Sequence, residues 1–206
     1  LQGHIPELHD YLTRAKGSFN QTVKSIMNMK ELNQKVITNT VITKSNFRHL
    51  PEIATILARL GVEQFQFAFV HALGTAGKYF SRIVPRMSMI EPYVRKAIEI
   101  GVNSGALVLT EAIPYCFMNG LEEHVAERFI PRTKIFDAKS VVDDYTNYRW
   151  NEGKAKGAQC KDCTWHELCE GPWREYPEQY GWDEFIPRTD IPCLELPESR
   201  GRRQDG

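Results

Sequence analysis

The sequence predicts an α/β fold, the C-terminal half of a partial (β/α) TIM-like barrel followed by a small Cys-rich module. Three observations carry this. Through residue 112, amphipathic helical stretches alternate with β-branched or aromatic strands, the order that builds a parallel sheet with helices outside it. Three parallel strands are too few to be buried on both faces, so the expected setting is a larger barrel whose front strands lie upstream. Beyond residue 130 the pattern changes, and three thiols, Cys160, Cys163 and Cys169, fall within ten residues.

Taken in order, residues 1–17 carry Gly3 and Pro6 and are expected to be a loop leaving a strand whose body is missing. Ser18-Phe19-Asn20-Gln21 has the form of a capping box, and Phe19, Val23, Ile26 and Met27 mark one helical face after it. Residues 35–43, rich in Val, Ile and Thr, are expected to form a buried strand. Its interior Asn39 either bonds neighbouring backbone or points into a ligand cavity. Residues 46–60 predict a helix with Leu50, Ile53, Ala54, Leu57 and Leu60 inward and Gly61 as the stop.

Residues 64–70 alternate Phe65, Phe67 and Phe69 against Gln64, Gln66 and Ala68, placing the aromatics on the helix-covered side of a strand. A loop with Gly74 and Gly77 follows. Ser88-Met89-Ile90-Glu91 is a second capping-box pattern, and Val94, Ala97, Ile98 and Val102 carry a helix to Gly105. Residues 106–112 predict a third strand leading to Cys116. In barrels of this kind ligands sit at the C-terminal strand ends, which selects residues 39–43, 69–73 and 111–116. The unpaired edge of the first strand predicts aggregation of the chain on its own. Further on, residues 133–137 are expected to be a short strand, 141–150 a helix and 151–157 a linker.

Lys+Arg and Asp+Glu both number 26, so charge offers no argument for nucleic acid or an anionic membrane as partner. No apolar run reaches spanning length. Five cysteines, an odd number in a metal-like pattern, fit a reducing cytoplasm better than a disulfide framework. The chain begins at Leu1 and not Met, in keeping with a piece of a longer protein.

The spacing C-x2-C-x5-C gathers thiolates as a soft metal or an iron–sulfur cluster requires. Structural zinc sites usually come as two close pairs, and the second close pair is missing here, although His166 lies between two of the thiols. A fourth ligand must come from Cys116 or Cys193. Cys116 is favoured because a strand end positions a ligand better than a segment near a terminus. The aromatic run 173–182 either shields a cluster from water or supplies the core of a module short of aliphatics.

With these residues in hand, the chain resembles the C-terminal half of the radical S-adenosylmethionine (SAM) superfamily. It is similar to the subgroup with an auxiliary iron–sulfur cluster in a SPASM- or twitch-like extension. The resemblance covers most of residues 1–188. It rests on His9-Asp10 with Gly17-Ser18-Phe19, on 39–46 with the helix to Gly61-Val62, and on Gln66-Phe67-Ala68-Phe69-Val70. It also rests on Ile113-Pro114-Tyr115-Cys116 and on Cys160 to Pro172 with Tyr180-Gly181-Trp182-Asp183-Glu184-Phe185. The family's C-x3-C-x2-C loop, which holds the SAM-cleaving cluster, is absent, so the chain as it stands is not expected to cleave SAM.

The resemblance implies a barrel portion at 1–130 and an auxiliary-cluster extension at 131–188, and the polar residues beyond it are expected to be a disordered tail at 189–206. It implies an auxiliary [4Fe-4S] cluster on Cys116, Cys160, Cys163 and Cys169, with SAM and a second [4Fe-4S] cluster in the full-length parent. Asn39 would face the SAM ribose, and the backbone at Phe69 and Val70 would pack on adenine. Glu111 would touch substrate or pair with a nearby cation. The implied partners are a small-molecule or peptide substrate and a reductant such as ferredoxin or flavodoxin. A zinc-stabilised binding module and a stand-alone electron-transfer protein are the rival readings of the same cysteines.

Overall fold

A computed structural model describes residues 1–136, 141–192 and 194. The chain is mixed α/β and divides into two compact units, Leu1–Glu111 and Ala112–Gly206. Residues 112–130, expected with the barrel portion, thus belong to the second unit. Among the described residues no helix is long and apolar enough to cross a membrane.

The first unit opens with a helix where a loop is expected, α1 (Pro6–Thr13). Pro6 sits in its first turn, where the missing N–H costs nothing, and Arg14 ends it in a left-handed conformation (φ 58°). Eight residues leave little periodic signal, and the proline is the one local sign of it. α2 (Ser18–Glu31) follows. Ser18 is its first helical residue and not its cap, so the capping box does not form. Asp10 of α1 takes that role: its carboxylate accepts from Gly17 N at 2.5 Å, Phe19 N at 2.8 Å and Ser18 Oγ at 3.0 Å. These donors, Phe19 N first, hold the Asp10 carboxyl below the usual carboxylate range. Of the face expected for α2, Ile26 is buried but Met27 is exposed.

β1 (Ile37–Ile42), β2 (Gln64–Phe69) and β3 (Leu107–Glu111) form a parallel sheet in the order β1-β2-β3. Thr38 is opposite Phe65 and Thr40 opposite Phe67, while Phe65 is opposite Val108 and Phe67 opposite Thr110. β1 is therefore an edge strand and buried only toward its C-terminal end, unlike the fully buried strand expected. That edge is partly occupied: Thr40 Oγ1 donates to Leu1 O at 2.7 Å and Val41 N to Gln2 Oε1 at 2.9 Å.

α3 (Leu50–Arg59) and α6 (Met87–Asn103) pack on one another, with Leu50, Ile53, Ala54 and Leu57 meeting a row of Ile90, Val94, Ala97 and Ile98. Two short helices, α4 (Thr75–Lys78) and α5 (Phe80–Ile83), fill the connection before α6. The Ser88 capping box is not formed either, because Ser88 lies inside α6. Val102, expected inward, is exposed, and Gly101 faces the sheet instead. A Cβ there would stand 2.2 Å from Val108 Cγ2 and 2.5 Å from Phe65 Cζ, so the glycine is what lets α6 approach. Phe65, Phe67 and Phe69 lie on the helix-covered face, as their alternation requires, each contributing about 1.5–3 kcal/mol by burial. The opposite face carries Asn39, Val41, Gln66, Ala68, Leu109 and Glu111.

The second unit has little regular structure. Three 3-10 turns span Tyr115–Phe117, Glu122–His124 and Ala126–Arg128. β4 (Ile135–Phe136) pairs with β5 (Val141–Val142), and the 141–150 stretch, expected to be helical, begins as this strand. The β-branched pair Val141-Val142 favours extension, and Asp144 then caps α7 (Tyr145–Tyr148) by accepting from Asn147 N at 2.9 Å. A π turn covers Arg149–Gly153, and Lys154 bridges antiparallel to Trp173 where a linker is expected. Ala158–Asp162 is a 3-10 turn and α8 spans Glu175–Tyr180. The core is aromatic: Trp165, Trp173, Tyr176 and Phe185 are all buried. Thr164 Oγ1 and Trp165 Nε1 bond Asp190, so the segment expected to be disordered from 189 is anchored at its start. Residues 193 and 195–206 lie outside the described residues.

Candidate metal centre

Four thiols from two distant segments of the second unit line one cavity of about 30 Å³. Cys116 is delivered by the Tyr115–Phe117 turn. Upstream of it Ala112 holds a left-handed conformation (φ 58°), a strained state for a residue with a Cβ, and its N–H donates to the buried Glu127 Oε1 at 2.7 Å. Cys160 lies in the Ala158–Asp162 turn, and Cys163 closes it by donating its N–H to Cys160 O at 3.2 Å. A further turn, Cys169 N to Trp165 O at 3.0 Å, brings Cys169 back to the same space. Cys193, the other possible fourth ligand, lies outside the described residues.

Apart from Lys156 and His166 the rest of the lining is mostly apolar and aromatic, with Pro114, Tyr115, Trp165 and Phe185 prominent. Tyr115 stacks on Trp165 with centroids 5.0 Å apart. Phe185 packs edge-on to Phe117, Tyr176 and Trp182. Of the aromatic run 173–182, Trp173 and Tyr176 are buried in the core, while the cavity itself is walled by Phe185, outside the run. A single buried water needs about 10–15 Å³ of such space, so the cavity has room for more than one water.

Burial pushes the Cys116 thiol far above its ordinary range, and the neighbouring Cys169 and Cys160 push it further. Burial also raises Cys160 and Cys169. Burial and the neighbouring sulfurs both disfavour a thiolate at Cys116, and a bound cation would offset both. Backbone N–H groups already point at the sulfurs: Gly171 N donates to Cys169 Sγ at 3.3 Å and Arg188 N to Cys163 Sγ at 3.4 Å. Lys156 lines the cavity too, its ammonium bonding His166 O at 2.6 Å and lying 4.5 Å from the Trp150 ring centroid. The His166 Nδ1 is engaged with Cys160 O at 2.8 Å.

Two groups of residues here escape sequence reading. Arg188 has its guanidinium 4.3 Å from the Trp165 ring centroid and donates to Tyr115 O, Glu122 Oε1 and Asn119 Oδ1, fastening residues 185–190 beside the thiols. Behind Cys169 lies a buried charge quartet. Arg149 Nε and Nη2 bond Glu170 at 2.9 and 3.1 Å, and Lys154 Nζ bridges Glu170 at 3.2 Å and Glu127 at 2.5 Å. Burial raises the Glu170 carboxyl, but the bonds from Arg149 and the nearby Lys154 bring it below its usual range. Only Glu170, beside Cys169, carried a sequence hint, as part of the Cys-Glu-Gly-Pro segment.

In the first unit, the sheet face opposite the helices holds Asn39, exposed, with Gln66 beside it in register. Gln66 Nε2 donates to Glu111 Oε2 at 2.6 Å, so Glu111 has an amide partner there. The side chain of Phe69 points to the helix-covered face, opposite to Asn39, and Val70 is buried just past the strand. Any ligand shared by Asn39 and Phe69 would meet Phe69 through backbone alone.

Among the described residues no three His, Cys, Asp or Glu side chains are gathered so as to hold a metal ion. No protein-family model matches the chain, and no curated protein sequence matches it.

Proposed function

We propose that Cys116, Cys160, Cys163 and Cys169 hold an auxiliary [4Fe-4S] cluster, and that the chain is the C-terminal part of a radical SAM enzyme. The observation that carries the reading is the gathering of four thiols, from segments 44 residues or more apart, around one apolar cavity. A [4Fe-4S] cluster takes one thiolate per iron, so it would use all four of these cysteines. A structural zinc ion on the same cysteines is the rival reading.

When bound, the cluster would supply one-electron chemistry, its four irons each held by a cysteine. The chain's own residues bind and tune it. The N–H groups of Gly171 and Arg188 donate to ligand sulfurs, and the Lys156 ammonium offsets the negative charge of four thiolates. Tyr115, Trp165 and Phe185 exclude water, which sets the local dielectric. In the first unit, a parallel sheet with helices on one face and Asn39, Gln66 and Glu111 on the other supports the partial-barrel reading. There the polar face would look into the barrel, toward SAM at Asn39 and the Phe69–Val70 backbone. The parent protein would supply the front half with SAM and a second [4Fe-4S] cluster, take electrons from a ferredoxin or flavodoxin in the cytoplasm, and act on a peptide or small molecule.

Anaerobic reconstitution with iron and sulfide tests this. The expected product is brown, with about four irons per chain, and Cys163→Ala loses them. A colourless protein holding about one zinc per chain overturns the reading.

A further inference from the structure

The geometry points to Lys154 as the positioning residue of the cysteine centre, a buried clamp that ties the segment carrying Cys116 to the segment carrying Cys169. Its ammonium bonds two carboxylates at once, Glu127 Oε1 at 2.5 Å and Glu170 Oε2 at 3.2 Å. The same Glu127 oxygen accepts the N–H of Ala112, the left-handed residue four positions before Cys116. Glu170 directly follows Cys169 and is held from its other side by the Arg149 fork. One ammonium thus joins the two stretches of chain that deliver Cys116 and Cys169 to the cavity. The backbone of Lys154 enforces the closeness: it bridges Trp173, and Ala155 N donates to Pro172 O at 3.0 Å. Gly171 fits only as glycine, since a Cβ would stand 2.0 Å from Ala155 O.

The clamp's logic is electrical as well as steric. Two cations and two carboxylates balance, so the quartet is buried without net charge, and each member depends on the others. Cys160 and Cys163 sit in their own turn and have no bond to the quartet among the described residues. Loosening Lys154 therefore frees Cys116 relative to Cys169 and leaves the Cys160–Cys163 turn as it is.

The role of the clamp in a metal site rests on the cluster reading, while the clamp itself is testable without metal. The experiment follows alkylation of each cysteine by iodoacetamide, read by mass spectrometry, in the reduced, chelator-treated full chain. The variants are Lys154→Met and the charge-balanced Lys154→Met/Glu127→Gln, which leaves no excess buried charge and keeps the fold testable if the single variant unfolds. Circular dichroism and tryptophan fluorescence establish that the double variant is folded. The expected result is alkylation of Cys116 faster by about tenfold or more, the consequence of losing a charge-assisted bond from the closed state, with Cys160 at its wild-type rate. Unchanged Cys116 protection in a folded variant overturns the clamp, and so does an equal rise at Cys160, which reports general loosening. Iron uptake by the wild type, measured on the same preparations, judges the cluster separately: no uptake with Cys116 protected by Lys154 rejects the cluster and keeps the clamp.

Discussion

Replacing Arg149 with Met removes a guanidinium that is fully buried and bonds both oxygens of Glu170. Glu170 would keep Lys154, at 3.2 Å, and the quartet would carry one excess negative charge in the interior. Two charge-assisted bonds at about 1.5–3 kcal/mol each and the usual cost of breaking a buried pair, about 3–5 kcal/mol, agree in size. With an m-value of about 2 kcal/mol/M in urea, the unfolding midpoint should fall by about 2 M. The assay is tryptophan fluorescence, because all four tryptophans, Trp150, Trp165, Trp173 and Trp182, belong to the second unit. Adding Glu170→Gln removes the stranded charge, keeps an acceptor for Lys154, and should recover most of the loss. A single variant that melts within about 0.5 M of wild type, a shift of about 1 kcal/mol, would refute the reasoning. So would a double variant no better than the single, since the cost would then lie in lost packing and not in charge.

Two further predictions concern the first unit. Gly101→Ala gains about 1 kcal/mol of helix propensity but forces a Cβ to 2.2 Å from Val108 Cγ2, an overpacking cost of about 1–3 kcal/mol. The urea midpoint by far-ultraviolet circular dichroism should fall, and a rise would mean that α6 relaxes freely. Glu63 accepts from Lys30 Nζ and from Val36 N at 2.9 Å, and the Lys30 bond above all lowers its carboxyl from 4.5 to about 2. A depressed carboxylate contributes stability that is complete above its unfolded pKa and lost as pH falls through the folded one. The wild type should therefore lose stability between pH 4.5 and about 2 more steeply than Glu63→Gln, and parallel urea-midpoint profiles would show that the bond contributes nothing.

The strands and long helices of the first unit were legible because burial in a helix-covered sheet imposes a period, and Phe65, Phe67 and Phe69 or Leu50, Ile53, Ala54 and Leu57 display it directly. The short or locally capped pieces were not. α1 shows only Pro6, and both capping-box patterns fail because position within a helix depends on what else can bond its first turn. Asp10, eight residues before Ser18, supplies the acceptor at α2. The Val141-Val142 strand was likewise hidden inside a stretch whose composition also suits a helix.

The three clustered cysteines were legible by themselves, because thiols on one short stretch are already close in sequence. Their chemistry and their spacing, C-x2-C-x5-C, belong to the sequence alone. What only the tertiary structure decided is which residues come to them from afar. Cys116 reaches the same cavity from 44 residues before Cys160, and Arg188 N meets Cys163 from 25 residues beyond. Glu127, Arg149, Lys154 and Glu170 form one neutral quartet although they are scattered over 44 positions. A charge carries no periodicity that marks it as buried. It becomes a buried pair only when the fold removes water from both partners at once, so long-range electrostatics is the part of this protein that the order of residues could not announce.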